Sequence, residues 1–157
     1  MEWKRVDGTK FSDEKNQSIA LKIVGWKAPT DPEWAKIPFR KTPPCPITDW
    51  NKENYMKPSA ELEEWRSKYH WRDRYGGCWE HVPDFSLPQE DYAVLKYVRE
   101  TWENGAKNNQ NLDRFWNELY EIWRKRRHDS VLRLPSFEMY YEPGDYSTAA
   151  LVVAESL

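Results

Sequence analysis

Two stretches of the chain carry apolar residues at helical spacing. Leu87, Val94, Leu95, Tyr97, Val98 and Trp102 fall within one arc of a helical wheel, and Leu112, Phe115, Trp116, Leu119, Tyr120, Ile122 and Trp123 form a second stripe. Ser86 and Gln89 have the spacing of a capping box with Pro88 in the first turn, and Asn104-Gly105 supplies a stop. Asn111 is placed to cap the second helix. The polar connection of about six residues is short enough to predict an antiparallel helical hairpin, its stripes buried against each other or against a sheet.

A shorter helix is predicted from Ser59 to Arg72, with Ser59 as N-cap, Glu61, Glu63 and Glu64 in the first turns, and Leu62, Trp65 and Tyr69 as its core stripe. Trp71 and His70 fall off that stripe and are expected at the surface. Gly76-Gly77 breaks the pattern, and Val82-Pro83 keeps the chain extended.

Other apolar positions alternate. Ile19, Leu21 and Ile23 predict a strand over 18–24 that ends at Gly25, and Phe137, Met139 and Tyr141 precede a Glu-Pro-Gly-Asp turn that predicts a β-hairpin over 135–154. The expected architecture is α+β, a single domain over 1–157. It consists of an antiparallel helical hairpin packed with a small antiparallel sheet, a helical region over 58–134, and an extended N-terminal arm rich in Trp and Pro.

That arm, 26–57, holds six prolines between Pro29 and Pro46, which exclude regular helix or central strand. Twenty residues of polyproline II span roughly 60 Å, against a diameter of about 40 Å for a globule of this length, so the arm can outreach its own domain. Trp26, Trp34, Phe39 and Trp50 are spaced along it as anchors for a protein partner. The alternative is a strap folded back over the domain's own apolar surface.

Composition sharpens that question. The chain has ten Trp, nine Tyr and five Phe in 157 residues, while its mean hydropathy is −1.00. Rings therefore replace aliphatic residues, and ten indoles exceed what a small core hides. The net charge of −2 gives no global field for nucleic acid or anionic lipid. Cys45 and Cys78 are too few for a disulfide framework, and the first residues lack an apolar leader core. A cytoplasmic or other reducing intracellular compartment is expected, with no membrane partner.

Catalytic patterns are missing. There is no Gly-x-Ser-x-Gly elbow and no phosphate-cradling glycine loop, and paired carboxylates such as Glu63-Glu64 and Glu90-Asp91 sit in first helical turns, where the dipole explains them. The chain thus reads as a non-enzyme with no cofactor. Cys78-x-x-His81 has ligand spacing, and His70 and Cys45 complete a Cys₂His₂ set on paper, but Cys45 lies 33 residues upstream of Cys78, which leaves one isolated pair rather than a zinc module.

Nucleic acid has better material. Between Trp65 and Tyr75 the rings Trp65, Tyr69, Trp71 and Tyr75 interleave with Arg66, Lys68, Arg72 and Arg74, a mixture that stacks unpaired bases while tracking phosphates. Arg124, Lys125, Arg126 and Arg127 form a second basic cluster. Helix-end cations also complement the macrodipole, and in a hairpin these would approach Glu90 and Asp91. The favoured function is a non-enzymatic interaction protein that docks on a larger protein or ribonucleoprotein as accessory subunit or stoichiometric inhibitor. The alternative is an RNA or single-stranded DNA binder.

Overall fold

The computed structural model of the protein describes residues 11–37, 60–103 and 108–156. In chain order these carry helix α1 (Asp13–Lys22), α2 (Ala60–Tyr69), strands β1 (Trp71–Arg72) and β2 (Cys78–Trp79), then α3 (Pro88–Trp102), α4 (Asn108–Asp129) and α5 (Asp145–Glu155). Short 3₁₀ turns lie at Trp34–Lys36 and Phe137–Tyr140. Helices with a small antiparallel sheet make the class α+β. The expected cap Ser59, the Asn104-Gly105 stop, Cys45, Phe39, Trp50 and most of the arm lie outside the described residues.

The chain divides into two compact units, Gly25–Val82 and the remainder, Met1–Val24 with Pro83–Leu157. In the larger unit, α5 packs against α1, α3 and α4. The α3 and α4 stripes supply its core, with Val94, Val98, Phe115 and Leu119 fully buried. Trp102 meets Phe115 edge-on at 6.2 Å.

Two predicted strands are helices. Ser12 Oγ accepts the Lys15 N–H at 3.2 Å and caps α1, with Asp13 and Glu14 in the first turn. Ile19 and Ile23 are a period-two pair and also an i, i+4 pair. The helix buries both together with Ala20 and leaves Leu21 exposed, which a strand pairing of the three would not do. Lys15 reaches Thr148 at 3.0 Å and Lys22 reaches Glu155 at 3.4 Å, equal steps that make α1 run parallel to α5.

The segment predicted as a β-hairpin over 135–154 is instead a 3₁₀ turn followed by α5. Gly144, at φ 100°, makes the left-handed turn into this helix. The N–H groups exposed at its start are taken by a carboxylate from another helix: Asp91 Oδ1 accepts from Ser147 N at 2.8 Å and Asp91 Oδ2 from Tyr146 N at 3.4 Å. A helix apolar nearly all round is stable here because Ala149, Ala150, Leu151 and Val153 are all buried.

The capping expectations also change. Ser86 donates its hydroxyl to Asp84 Oδ1 at 2.6 Å, a local turn that removes it from the helix, and Leu87 becomes the N-cap without a side-chain bond. Asn111 lies within α4, which starts at Asn108.

The smaller unit is built on one turn. Asp73 Oδ1 accepts the N–H groups of Tyr75 and Gly77, both at 2.8 Å, and folds β2 back on β1 with Trp71 opposite Trp79. A Cβ on Gly77 would lie 2.6 Å from Asp73 Oδ2, so any larger residue here must displace the Asp73 carboxylate that holds the turn. Lys27 bonds both ways with Arg72, at 2.9 and 3.0 Å, and extends the pairing.

Candidate functional site

The α4 stripe is wider than a helix can bury. At about 100° per residue its seven positions cover roughly 160°, and a core-facing stripe needs only about 100°. Phe115, Leu119 and Trp123 occupy the buried part. Trp116 and Tyr120, at the far edge, stay 42 % and 47 % exposed.

Those two rings form one wall of an open groove of about 820 Å³, with Leu119 and Trp123 beside them and Phe137, Glu138, Tyr141 and Tyr146 among the other lining residues. The rings fall into close pairs. Tyr120 lies 4.7 Å from Phe137, and Tyr141 stacks on Tyr146 at 4.8 Å and 27°.

Buried and partly buried bonds brace the residues around this aromatic surface. Tyr140 is buried, its hydroxyl accepting from Leu134 N at 2.6 Å and donating to Leu132 O at 3.2 Å, which anchors the turn that carries Phe137. Arg126 clamps Asp145 through both terminal nitrogens at 2.7 and 2.9 Å and also donates to the Tyr140 carbonyl. Trp123 donates its indole N–H to Asp145 Oδ2 at 3.0 Å, and Tyr141 donates its hydroxyl to Asp91 at 2.8 Å. Burial and the neighbouring Asp91 carboxylate push the Tyr141 phenol well above its ordinary value, so it remains a hydroxyl.

The smaller unit carries a second aromatic surface. Trp65 and Tyr75 are 52 % and 60 % exposed, and Tyr69 and Trp79 are also exposed. Trp65 packs against Tyr69 at 5.8 Å and His70 at 5.0 Å. Trp65 and Tyr69 therefore sit at the surface, not in the core as their stripe suggests.

The predicted anchors divide. Trp34 is 1 % exposed, its indole N–H donating to His70 O at 3.0 Å, so its role as a free surface anchor is corrected to a core role. Trp26 is half-buried, 6.5 Å from the Trp79 ring. Trp71 and His70, expected at the surface, are likewise half-buried.

The basic candidates divide as well. Arg72 is 2 % exposed, stacked over Trp34 and bonded to Glu63 at 3.1 Å and Ile37 O at 2.7 Å, which removes it from any phosphate-binding set. Arg124 pairs with Glu121 at 2.8 Å, and Arg126 with Asp145 and Glu142, rather than with Glu90 and Asp91. Arg127 lies over Phe137 at 5.0 Å. Arg74 lies over Tyr75 at 4.6 Å and donates to its hydroxyl. Lys68 is exposed beside Glu64, Arg66 is half-buried and Lys125 exposed.

His70, Cys78 and His81 do not gather: among the described residues no three His, Cys, Asp or Glu side chains converge as metal ligands. Burial pushes the Cys78 thiol up, away from reactive thiolate character. Among the described residues no helix is long and apolar enough to cross a membrane. No family model, curated protein or solved structure matches the chain.

Proposed function

We propose that this is a non-enzymatic interaction protein that docks on a larger protein or ribonucleoprotein assembly, as an accessory subunit or stoichiometric inhibitor. The observation that carries this is the groove of the larger unit, where Trp116 and Tyr120 stay half-exposed beside aromatic residues braced by hydrogen bonds of Trp123, Tyr140 and Tyr141. Large rings held in place lose little entropy on binding, and half-exposed tryptophan and tyrosine are the residues that dominate interface energetics. Docking is thus centred on α4, with Phe39 and Trp50 of the proline-rich segment as further candidate anchors. A reducing intracellular compartment belongs to the same proposal and accords with the free thiol of Cys78.

Affinity capture with the wild type and with Trp116→Ala tests it. The wild type is expected to retain a stoichiometric partner that the variant loses while its thermal melt stays cooperative. Equal retention by both would remove the groove from the function.

A second reading, binding of RNA or single-stranded DNA, is favoured by one observation: Tyr69 and Tyr75 are exposed in the smaller unit close in sequence to Arg66, Lys68 and Arg74. Between Pro58 and Phe85 six acids outnumber four bases, which weakens the attraction for phosphate.

A further inference from the structure

We propose that the α4 groove recognises a proline-rich segment of a partner protein in polyproline II conformation, with an Arg or Lys close to its prolines. This rests on the docking function above and names the chemistry of the partner.

Four features of the groove point to that occupant. The first is shape. A volume of about 820 Å³ accommodates several residues of an extended chain. Trp116 and Tyr120 stand one helical turn apart, about 6 Å at 1.5 Å per residue, which matches two residues of polyproline II at about 3.1 Å each.

The second is the kind of surface. The groove is built from helix faces and a 3₁₀ turn, so it offers no sheet edge for an added strand. Flat faces of Trp, Tyr and Phe are what proline rings pack on, and a polyproline II chain arrives already restricted, so it loses little entropy on docking.

The third is hydrogen bonding. Polyproline II has no internal hydrogen bonds, so its carbonyls seek donors. Trp116 Nε1 and the Tyr120 hydroxyl donate to no group among the described residues and stand at the exposed edge of α4.

The fourth is charge. Glu138 is the one charged side chain lining the groove, and it forms no ion pair among the described residues. Arg127 already stands over Phe137, so a partner cation beside this carboxylate would meet Trp116 and Tyr120, where Coulomb attraction and the ring quadrupoles act together.

The test is fluorescence anisotropy of labelled decapeptides against the full chain. A peptide of Pro-Pro-Arg repeats should bind, and one of Pro-Pro-Glu or Ala-Ala-Arg repeats should bind at least about tenfold more weakly. Trp116→Ala and, independently, Tyr120→Ala should weaken Pro-Pro-Arg binding about tenfold or more. Glu138→Gln should weaken it about threefold and flatten its salt dependence. Should Trp116→Ala disturb the fold, Tyr120→Ala carries the test.

Equal binding of Ala-Ala-Arg would overturn the proposal, because the site would then read a cation alone. Displacement of the peptide by poly-U would do so in favour of nucleic acid. Binding untouched by either ring substitution would also overturn it. If no peptide binds while capture still depends on Trp116, the occupant class falls and the docking function stands; if capture ignores Trp116, both fall.

Discussion

The Arg72 guanidinium lies over the Trp34 ring, 4.3 Å from its centroid, and both side chains are enclosed. A tryptophan from the proline-rich segment is thereby tied to β1 of its own unit, with the indole N–H spent on His70 O. Trp34→Ala is expected to cost about 3–5 kcal/mol, the range for emptying an aromatic core site. Arg72→Ala should cost about 3 kcal/mol, since Glu63 loses its partner. Urea unfolding read by hydrogen exchange at residues 25–37 and 60–82 checks both. Loss of partner capture without loss of protection there would return Trp34 to the role of an anchor.

Asp91 predicts a pH effect. It is fully buried and accepts four hydrogen bonds, from Tyr141, Tyr146 N, Ser147 N and Ser147 Oγ. Burial still outweighs those donors and raises its pKa. The raised folded pKa means its contribution is full below the unfolded value of about 3.9 and is lost as pH rises through the folded pKa. Wild type should therefore lose stability relative to Asp91→Asn as pH climbs from about 4 to 7. Asp91→Ala, which uncaps α5 and strands Ser147 and Tyr141, should cost about 2–3 kcal/mol near pH 4 and less as pH rises, because only the wild type carries the titrating group. Urea midpoints across that range decide, and a wild type to Asn difference independent of pH would contradict the linkage.

These two residues also show where the sequence was legible. Helices α3 and α4 could be read because each repeats its pattern over several turns, whereas the shorter stripe of α2 marks a helix but points Trp65 and Tyr69 at the wrong side. Short apolar runs such as 18–24 and 149–154 satisfy both period two and period 3.6, and what decides between them is tertiary. For α5 the decision lies with Asp91, more than fifty positions upstream of the N–H groups it caps. The groove is illegible locally for a related reason. The signal was the excess width of the α4 stripe, but nothing local says that Phe137, Tyr141 and Tyr146 face its uncovered edge. Arg72 read as a surface cation because a buried arginine differs from an exposed one only in the company it keeps.

Arg126 predicts the cost of loosening the groove. Its planar fork holds both oxygens of Asp145 and the Tyr140 carbonyl together, a geometry that an ammonium cannot reproduce. Arg126→Lys retains the charge and should cost about 1–2 kcal/mol. Hydrogen exchange should rise at residues 137–146 while the α3 core stays protected. Uniform acceleration over the larger unit would mean that the clamp supports the whole fold and not the groove alone.

Salt dependence separates protein docking from nucleic-acid binding. Arg72 is enclosed, so Arg66, Lys68 and Arg74 are the basic candidates nearest Tyr69 and Tyr75, and phosphate would have to compete with Glu64 for Lys68 and with the Tyr75 contact for Arg74. Three contacts to a single strand give a log-log affinity slope of about −2, and stacking on two tyrosines adds roughly 1–3 kcal/mol each. If the smaller unit binds single strands, labelled poly-U should show that slope, and Tyr75→Ala should weaken it by about tenfold or more without altering the slope, because stacking releases no counterions. The docking function predicts instead that poly-U binds negligibly at physiological salt and that partner capture through Trp116 weakens only shallowly with ionic strength, by no more than the Glu138 contact accounts for. A steep slope abolished by Lys68→Ala with Arg74→Ala, alongside capture indifferent to Trp116→Ala, would assign the protein to nucleic acid.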